Sequence, residues 1–388
     1  MKKVVHLARK FLPTTASFIY NQIIHHHNFD PAIVYCETTD SVFRTRLQEQ
    51  YPTYRAVHGA MGQYLYQYFR NLTAAEQRNV VKFIRHFGAD VLHVHYGVDA
   101  LVYADMFKDT NLPVLVSFYG YDCTSFPQRF KGLGQTWLQN KLFSNPHITY
   151  FTAMSPDMQE DLLQLGCPEE KIIVHYHGSD PQPFLRERSY EDKDDVHLLI
   201  ISSLTAKKGH LFLLKAFRQA EGKTTKRLHL HIVGQGELHD DLAGFIRRAG
   251  LKRVTLHGPV DYGSEQHHAY LEQADIFVHP SVTTVQGEKE GIPGALIESR
   301  SSGLPVIATY HAGIPYIVEH GVTGLLAEEH DIATLADHIV ALAEDASLRE
   351  RIGKAGQQYT LEHLDVAKKE KDLEEIYERM IREKPKTV

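Results

Sequence analysis

Short apolar runs separated by amphipathic stretches of helical length recur along this chain, and that alternation limits it to a narrow set of folds. Runs at 4–8, 32–36, 91–95, 114–118, 148–154 and 172–176 read as strands, and stretches at 17–27, 74–87, 100–107 and 156–165 as helices. A strand followed by a helix-length crossover favours a parallel sheet with helices on both faces. The pattern breaks at Pro181-Gln182-Pro183 and the charged stretch 186–195, which reads as a linker. A second series follows, with strands expected at 196–202, 229–233, 254–257, 276–279, 306–308 and 324–327. Its helices are expected at 211–220, 238–249, 265–273, 295–302 and 332–344, and the charged tail 365–384 reads as a closing helix. The expectation is an α/β chain of two Rossmann-like, doubly wound domains facing each other across a cleft. They span residues 1–184 and 185–365, with the tail helix 366–388 packing back on the first. Ligands in such sheets sit outside the carboxyl ends of the strands, so functional residues should follow strands.

Composition excludes some partners. The formal charge of -6 leaves no overall basic field for nucleic acid. Cys36, Cys123 and Cys167 lie far apart in the sequence and make neither a disulfide framework nor a thiolate metal pair, which fits a reducing cytoplasm. The apolar opening stops at Arg9-Lys10, too short for a signal peptide, and no run approaches the roughly 18 apolar residues of a membrane span.

The segment 287–302 is the most informative. It follows the expected strand 276–279 and carries Glu290, Gly291, Ile292, Pro293, Gly294, Ala295 and Glu298. Pro293 suits the first position of a helix, and Gly291 permits close backbone approach to a ligand. The free amides near Gly294 and Ala295, at the positive end of the helix dipole, make an anion site that fits a diphosphate. Two glutamates eight residues apart are by themselves usually solvated acids; the strand–loop–turn–helix setting is what singles out Glu290 and Glu298 as acceptors for sugar hydroxyls. Lys208, beside Gly209 and before a helix, suits a phosphate, although a lysine is more often a surface residue.

Other candidates are weaker. Gly234-Gln235-Gly236 lacks the third glycine of a dinucleotide fingerprint and reads as a tight turn near the nucleotide. His25-His26-His27 cannot all ligate one ion from a helix, and no Asp-x-Asp or His/Asp cluster offers an evident metal site. His93 and His95 share one strand face, either as satisfied core histidines or at a ligand-facing strand end. Asp122 reads as an acceptor-side or backbone-binding carboxylate. Tyr64, Leu65, Tyr68 and Phe69 form a stripe that is ordinarily core; a membrane-facing patch is the other reading, and would suit a lipid-linked acceptor.

The second half resembles the donor domain of the retaining glycosyltransferases of family 4, which have the GT-B fold. The resemblance rests on Glu290 to Leu326, with Gly-Leu-Pro-Val-Ile-Ala at 303–308, Ala-Gly-Ile-Pro at 312–315 and Gly-Val-Thr-Gly-Leu-Leu at 321–326. It also rests on Val-Gly-Gln-Gly at 233–236 and Ala-Asp-Ile-Phe-Val-His-Pro-Ser at 274–281. The first half is similar more loosely, through Ser17-Phe18-Ile19, His93-Val94-His95 and the run 117–122. The resemblance implies that Glu290 binds donor-sugar hydroxyls and Glu298 the ribose. It implies that the amides of Gly291, Ile292, Gly294 and Ala295 hold sugar and phosphates, and that Lys208 neutralises the diphosphate. Ser203 stands where the family has an arginine, and Tyr119 where it has a histidine near the donor sugar. Tyr316 and Ala16 replace glutamates. Glu290, Lys208 and Tyr119 are the expected catalytic residues. Glu298, Gly291, Ile292, Gly294, Ala295, Ser203 and Gly234 are expected at the donor, and His95, Asp122 and Ser17 on the acceptor side. The implied reaction moves a sugar from a nucleotide diphosphate to a saccharide or lipid-linked saccharide, with retention, without metal or cofactor, by front-face attack and domain closure. Bacterial cell-surface or exopolysaccharide assembly is the implied setting, in the cytoplasm or peripherally at the inner membrane face. The rival readings are a weakly active sugar-nucleotide-binding partner subunit, and a phosphorylase or epimerase on the same fold.

Overall fold

The apolar runs are strands, and every pairing between strands is parallel. The computed structural model describes residues 1–11, 17–39, 42–69 and 71–383. The first sheet has β1 (Lys2–Phe11), β2 (Phe29–Thr38), β3 (Thr53–Arg55), β4 (Val91–His95), β5 (Val114–Ser117), β6 (Ile148–Ala153) and β7 (Ile172–Val174). The second has β8 (Asp195–Ile201), β9 (Arg227–Val233), β10 (Val254–His257), β11 (Ile276–His279), β12 (Val306–Thr309) and β13 (Leu325–Ala327). The spatial orders are β3-β2-β1-β4-β5-β6-β7 and β10-β9-β8-β11-β12-β13. Both reverse direction at one point, between β1 and β4 and between β8 and β11; ligands of doubly wound sheets bind beyond the strand ends at such switch points.

Contacts divide the chain into Met1–Gly178 with Val366–Val388, and Ser179–Asp365, a few residues before the boundary expected at 184/185. In the first unit the sheet is covered on both faces, which is why its strands read as continuous apolar runs rather than alternating ones. Val5, Leu7, Leu92, Val94 and Val116 face one core. Val4, Val91 and Leu115 face the other, which is closed by Leu373, Tyr377 and Met380 of the helix Val366–Glu383. In the second unit Val196, Leu198, Ile200, Ile276 and Ile307 share a core with the helices His210–Glu221 and Ile332–Glu344.

Several elements escape the apolar pattern. The edge strand β3 is three residues long and only half-buried. The helix Val42–Gln50 lacks a clear apolar stripe, and the helix Gly59–Phe69 carries the stripe of Tyr64, Leu65, Tyr68 and Phe69. The helix Ala346–His363 hides its contact face in glycine: a Cβ on Gly353 would lie 2.4 Å from the Gly303 carbonyl oxygen and 2.6 Å from the Tyr190 hydroxyl. The first helix ends at Ile24, so His25-His26-His27 follow it rather than lie on it, and His26 turns inward. Pro293 is the N-cap of the helix Gly294–Ser301 and not its first residue. Of the aromatic stripe, Tyr64 is 56% exposed, which corrects its core assignment; the side chains of Leu65, Tyr68 and Phe69 lie outside the described residues.

Gly353→Ala forces backbone or the Tyr190 ring to move and is expected to cost about 1–3 kcal/mol. Gly258→Ala, with nothing within 4 Å, should leave the thermal midpoint unchanged. Melting curves of the two variants check the contrast.

Candidate donor site

In the second unit, backbone contact decides which side chains meet. Gly209 ends the turn Ala206–Lys208 with φ +68°, and a Cβ there would lie 1.9 Å from the Pro280 carbonyl oxygen. The Val282 amide donates to the Lys207 carbonyl at 2.8 Å. The turn after β8 is thereby fastened to the loop after β11, across the switch point. Lys208 Nζ lies 2.9 Å from Glu290 Oε2, and Lys207 Nζ lies 2.8 Å from Glu288 Oε1 and 3.7 Å from Glu290 Oε1.

Burial pushes the Glu290 carboxyl up, but the charges of Lys208 and Lys207 overcome it and hold it at about 2. Its amide donates to His311 Nε2 at 3.0 Å, which fixes the other ring nitrogen as the donor to Glu329 Oε1 at 2.6 Å. Glu329 also accepts from the amide and hydroxyl of Thr283. Beside this cluster His279 is buried, both its ring nitrogens lack a hydrogen-bond partner, and burial followed by the charge of Lys208 pushes it down to about 3.

The helix Gly294–Ser301 begins without a side-chain cap, leaving its first amides for a ligand or water. Glu298 is buried on it, and burial alone pushes its carboxyl up to about 8, so it is protonated near neutrality. A Cβ on Gly294 would meet Glu298 Oε1 at 3.4 Å, which puts the carboxyl against the helix start. His267 Nε2 is 3.7 Å from Glu298 Oε2, and burial holds that imidazole down at about 4, so the two groups meet as a neutral pair. Gly291 is crossed by the turn at Gly313, whose Cβ would lie 2.7 Å from the Gly291 oxygen, and Ile292 is buried beside it. Ala295 is half-buried in the first helical turn. Gly234, at φ +150°, leaves β9 against the Ser202 carbonyl. Ser203 is exposed, with only Thr205 Oγ1 at 3.4 Å.

In the first unit Tyr119 follows β5, and its hydroxyl is 2.8 Å from His95 Nδ1. Asp122 accepts from the amides of Gly97, Tyr119 and Gly120 at 2.7, 3.0 and 3.1 Å. Its carboxylate is engaged by backbone amides, as the backbone-binding alternative for Asp122 has it. Burial pushes it up to about 6 against those hydrogen bonds. Ser17 opens the first helix and its side chain lies outside the described residues; the next ring, Phe18, sits 4.7 Å from that of Tyr119. His93 and His95 are fully buried, and with His6 they form a group whose nitrogens lie within 4.8 Å of one another. This cluster was not legible in the sequence, because β1 and β4 are far apart along the chain and His6↔His93 is a tertiary register. His279, His311 and Glu329 were also missed; their only signal is that each follows or ends a strand of the second sheet.

Residues 181–359 match the family described as Glycosyl transferases group 1, and residues 27–183 match Glycosyltransferase Family 4. The chain belongs to these glycosyltransferases. The amylovoran biosynthesis glycosyltransferase AmsK of Erwinia amylovora is 32% identical over 66% of this chain and 62% of its own length. The putative colanic acid biosynthesis glycosyltransferase WcaL of Escherichia coli K12 is 34% identical over 47% of this chain and 45% of its own length. The matched part therefore spans less than two thirds of either relative. Among solved structures, HepE of Anabaena in complex with UDP and glucose has a TM-score of 0.77 at 20% identity, covering 97% of this chain and 100% of that one. The lipopolysaccharide outer core galactosyltransferase WaaB has a TM-score of 0.70 at 15% identity, covering 97% and 99%. At those identities the likeness establishes the fold, the two-domain GT-B class.

Two stability measurements check the electrostatics of this glycosyltransferase's second unit. Lys208→Met strands a buried carboxylate with only Lys207 near it and should cost about 3 kcal/mol in denaturant unfolding at neutral pH. Glu298 ionises at about 4.5 in the unfolded chain and about 8 in the folded one, so its burial costs progressively more stability as pH rises through that window. The thermal midpoint of Glu298→Gln should accordingly gain on the wild type between those pH values and stay level above them.

Proposed function

We propose that this chain transfers a sugar from a nucleotide diphosphate to a saccharide or lipid-linked saccharide, with retention of configuration and without a metal ion. The observation that carries the reading is the Lys208–Glu290 pair beside an uncapped helix at the β8/β11 switch point. A cation, a carboxylate and free amides are what a sugar diphosphate needs. The diphosphate takes Lys208 from Glu290 and lies against the amides of Gly294 and Ala295, and the freed Glu290 carboxylate accepts from sugar hydroxyls. Glu298 meets the ribose hydroxyls as a neutral acid able both to donate and to accept. The helix amides and Lys208 stabilise the departing diphosphate. No carboxylate is assigned as a covalent nucleophile. The acceptor attacks on the face the diphosphate leaves, and a phosphate oxygen takes the acceptor's proton. The group 1 match over this segment and the UDP- and glucose-bound HepE support the same donor class. UDP-sugars are therefore the first donors to test.

The exposed, uncharged Ser203 at the position of the family's arginine favours a second reading, a weakly active nucleotide-sugar-binding partner subunit. Calorimetry with a panel of nucleotide diphosphates and sugar nucleotides, without metal, separates the cases. One nucleotide should bind, and Glu298→Ala should weaken it about tenfold or more. Binding without any transfer or donor hydrolysis leaves the partner-subunit reading, and no binding at all removes both.

Contact with a bilayer, if the acceptor is lipid-linked, is peripheral in this reading, because no helix of the described residues is long and apolar enough to cross a membrane. The segment between β5 and β6 suits it better than the stripe at Tyr64. Phe130, Leu133 and Trp137 are 59%, 50% and 38% exposed there. Arg129 and Lys131 flank them, and the sequence has no Asp or Glu between Asp122 and Asp157. Phe130→Ser with Trp137→Ser should abolish co-sedimentation with phosphatidylglycerol vesicles and leave nucleotide binding intact; undiminished sedimentation removes the bilayer contact from this segment.

A further inference from the structure

The loop that carries Glu290 is held by the turn after β12 as well as by the lysine turn after β8. His311, 1% exposed, accepts the Glu290 amide on Nε2 at 3.0 Å. Two residues on, a Cβ on Gly313 would lie 2.7 Å from the Gly291 oxygen, so the backbones also touch. His311 is itself anchored. Its amide donates to the Thr309 carbonyl at 2.7 Å, and its carbonyl accepts from the Ile314 amide at 2.9 Å. Its Nδ1 lies 2.6 Å from Glu329 Oε1, beyond β13. Glu329 in turn accepts from the amide and hydroxyl of Thr283 at 2.7 and 3.0 Å. One imidazole therefore ties the segments after β11, β12 and β13 to one another.

The bond to Glu290 works in one sense. An amide N–H can only donate, so Nε2 must keep its lone pair. A carboxylate can only accept, so the ring proton sits on Nδ1. His311 meets both partners as a neutral ring of a single tautomer. A second proton would go to Nε2, at which the Glu290 N–H already points. Two N–H groups cannot share the 3.0 Å between those nitrogens, and the amide would lose its partner while buried. The residue whose carboxylate faces Lys208 would then have to shift.

We propose that His311 is a positioning residue for the donor site: when neutral it holds the Glu290 backbone where the carboxylate can meet the sugar, and when protonated it gives up that hold, so that acid weakens binding of the sugar nucleotide. The role in binding rests on the donor reading above. The linkage has a definite sign. The binding-competent form carries one proton fewer on His311 than the released form, so the dissociation constant falls as pH rises through the titration of that ring.

Charges from several elements surround the ring. Glu329 beyond β13 and the Glu290 carboxylate favour a second proton. Burial opposes it, as do Lys208 and Lys207, which flank that carboxylate. His279 at the end of β11 also interacts with His311. Burial acts against the Glu329 carboxylate, but the bonds from His311 and Thr283 hold it below its usual range. The other groups placed at the site stay out of the interval from pH 5 to pH 7.5. Burial, ahead of neighbouring charges, holds His279 at about 3 and His210 and His267 at about 4. Glu290 lies at about 2 and Glu298 at about 8.

The test is calorimetry of the full chain with UDP-glucose from pH 5 to pH 7.5, with nitrogen NMR of its labelled histidine rings over the same interval. Both phosphates of a sugar nucleotide are esterified, so the charge of the ligand is constant there. In the wild type the dissociation constant should rise about tenfold from pH 7.5 to pH 5. His311→Gln keeps an acceptor for the Glu290 amide and has no second proton to gain, so it should bind within about threefold of the wild type at pH 7.5 and stay flat. His311→Leu leaves that amide without a partner and should bind about tenfold more weakly at pH 7.5. The ring signal lost in both variants should carry a proton on Nδ1 alone at pH 7.5 and on both nitrogens at pH 5. A proton on Nε2 at pH 7.5 would overturn the role, as would a wild-type constant that stays level down to pH 5. An acid loss that persists in His311→Gln, a Gln variant as weak as the Leu variant, or a Leu variant as strong as the wild type would do the same. A ring that titrates as described, in a chain that binds neither UDP-glucose nor another sugar nucleotide, keeps the hold on Glu290 and removes the donor reading.

Discussion

A parallel sheet has to be covered on both faces, and the first unit covers one of its faces with the far end of the chain. The helix Val366–Glu383 lays Leu373, Tyr377 and Met380 against Val4, Phe29, Val91 and Leu115. Burial of that apolar surface contributes on the order of 25 cal/mol per Å². Because the covered face also carries His6, His93 and His95, the same helix has to satisfy polar groups. Tyr377 takes up His93, and Glu370 and Glu374 balance His26. Residues separated by most of the sequence thus depend on one packing event. Glu374 also accepts from the amides of His27 and Asn28, which fastens the turn that presents His26.

The second unit solves a different problem with the same topology. Buried carboxylates need either a cation or a proton, and its two glutamates take one each. Glu290 sits between Lys208 and Lys207 and stays ionised. Glu298 lies inside a helix with only a neutral imidazole near it and keeps its proton. The two acids share a segment and a residue type, yet their environments separate them by several pH units. Glycine makes the first arrangement possible, since any side chain at Gly209 would push the lysine turn off the Pro280 carbonyl. A site assembled from turns after neighbouring strands relies on such backbone contacts.

Glycine also explains the largest gap in what the sequence revealed. The helix Ala346–His363 buries Gly353 and Gly356 in place of apolar side chains, so its periodicity is faint although it packs closely. The histidines were misread for a related reason. His25-His26-His27 was treated as helical, and the helix stops at Ile24, which frees His26 to turn toward β1.

The sequence by itself determined the alternation of strand and helix, the division into two doubly wound units, and the strand–turn–helix segment that carries Glu290 and Glu298. Those features are local. A strand, a turn and a helix start are written in consecutive residues, and so is the family likeness that Glycosyl transferases group 1 and Glycosyltransferase Family 4 describe. Only the tertiary structure decided which side chains touch. It paired Lys208 with Glu290, gave Asp122 to backbone amides, and joined Glu370 to Tyr119 through three histidines. Protonation depends on burial and on the nearest charge, and both are set by register and packing between segments remote in sequence.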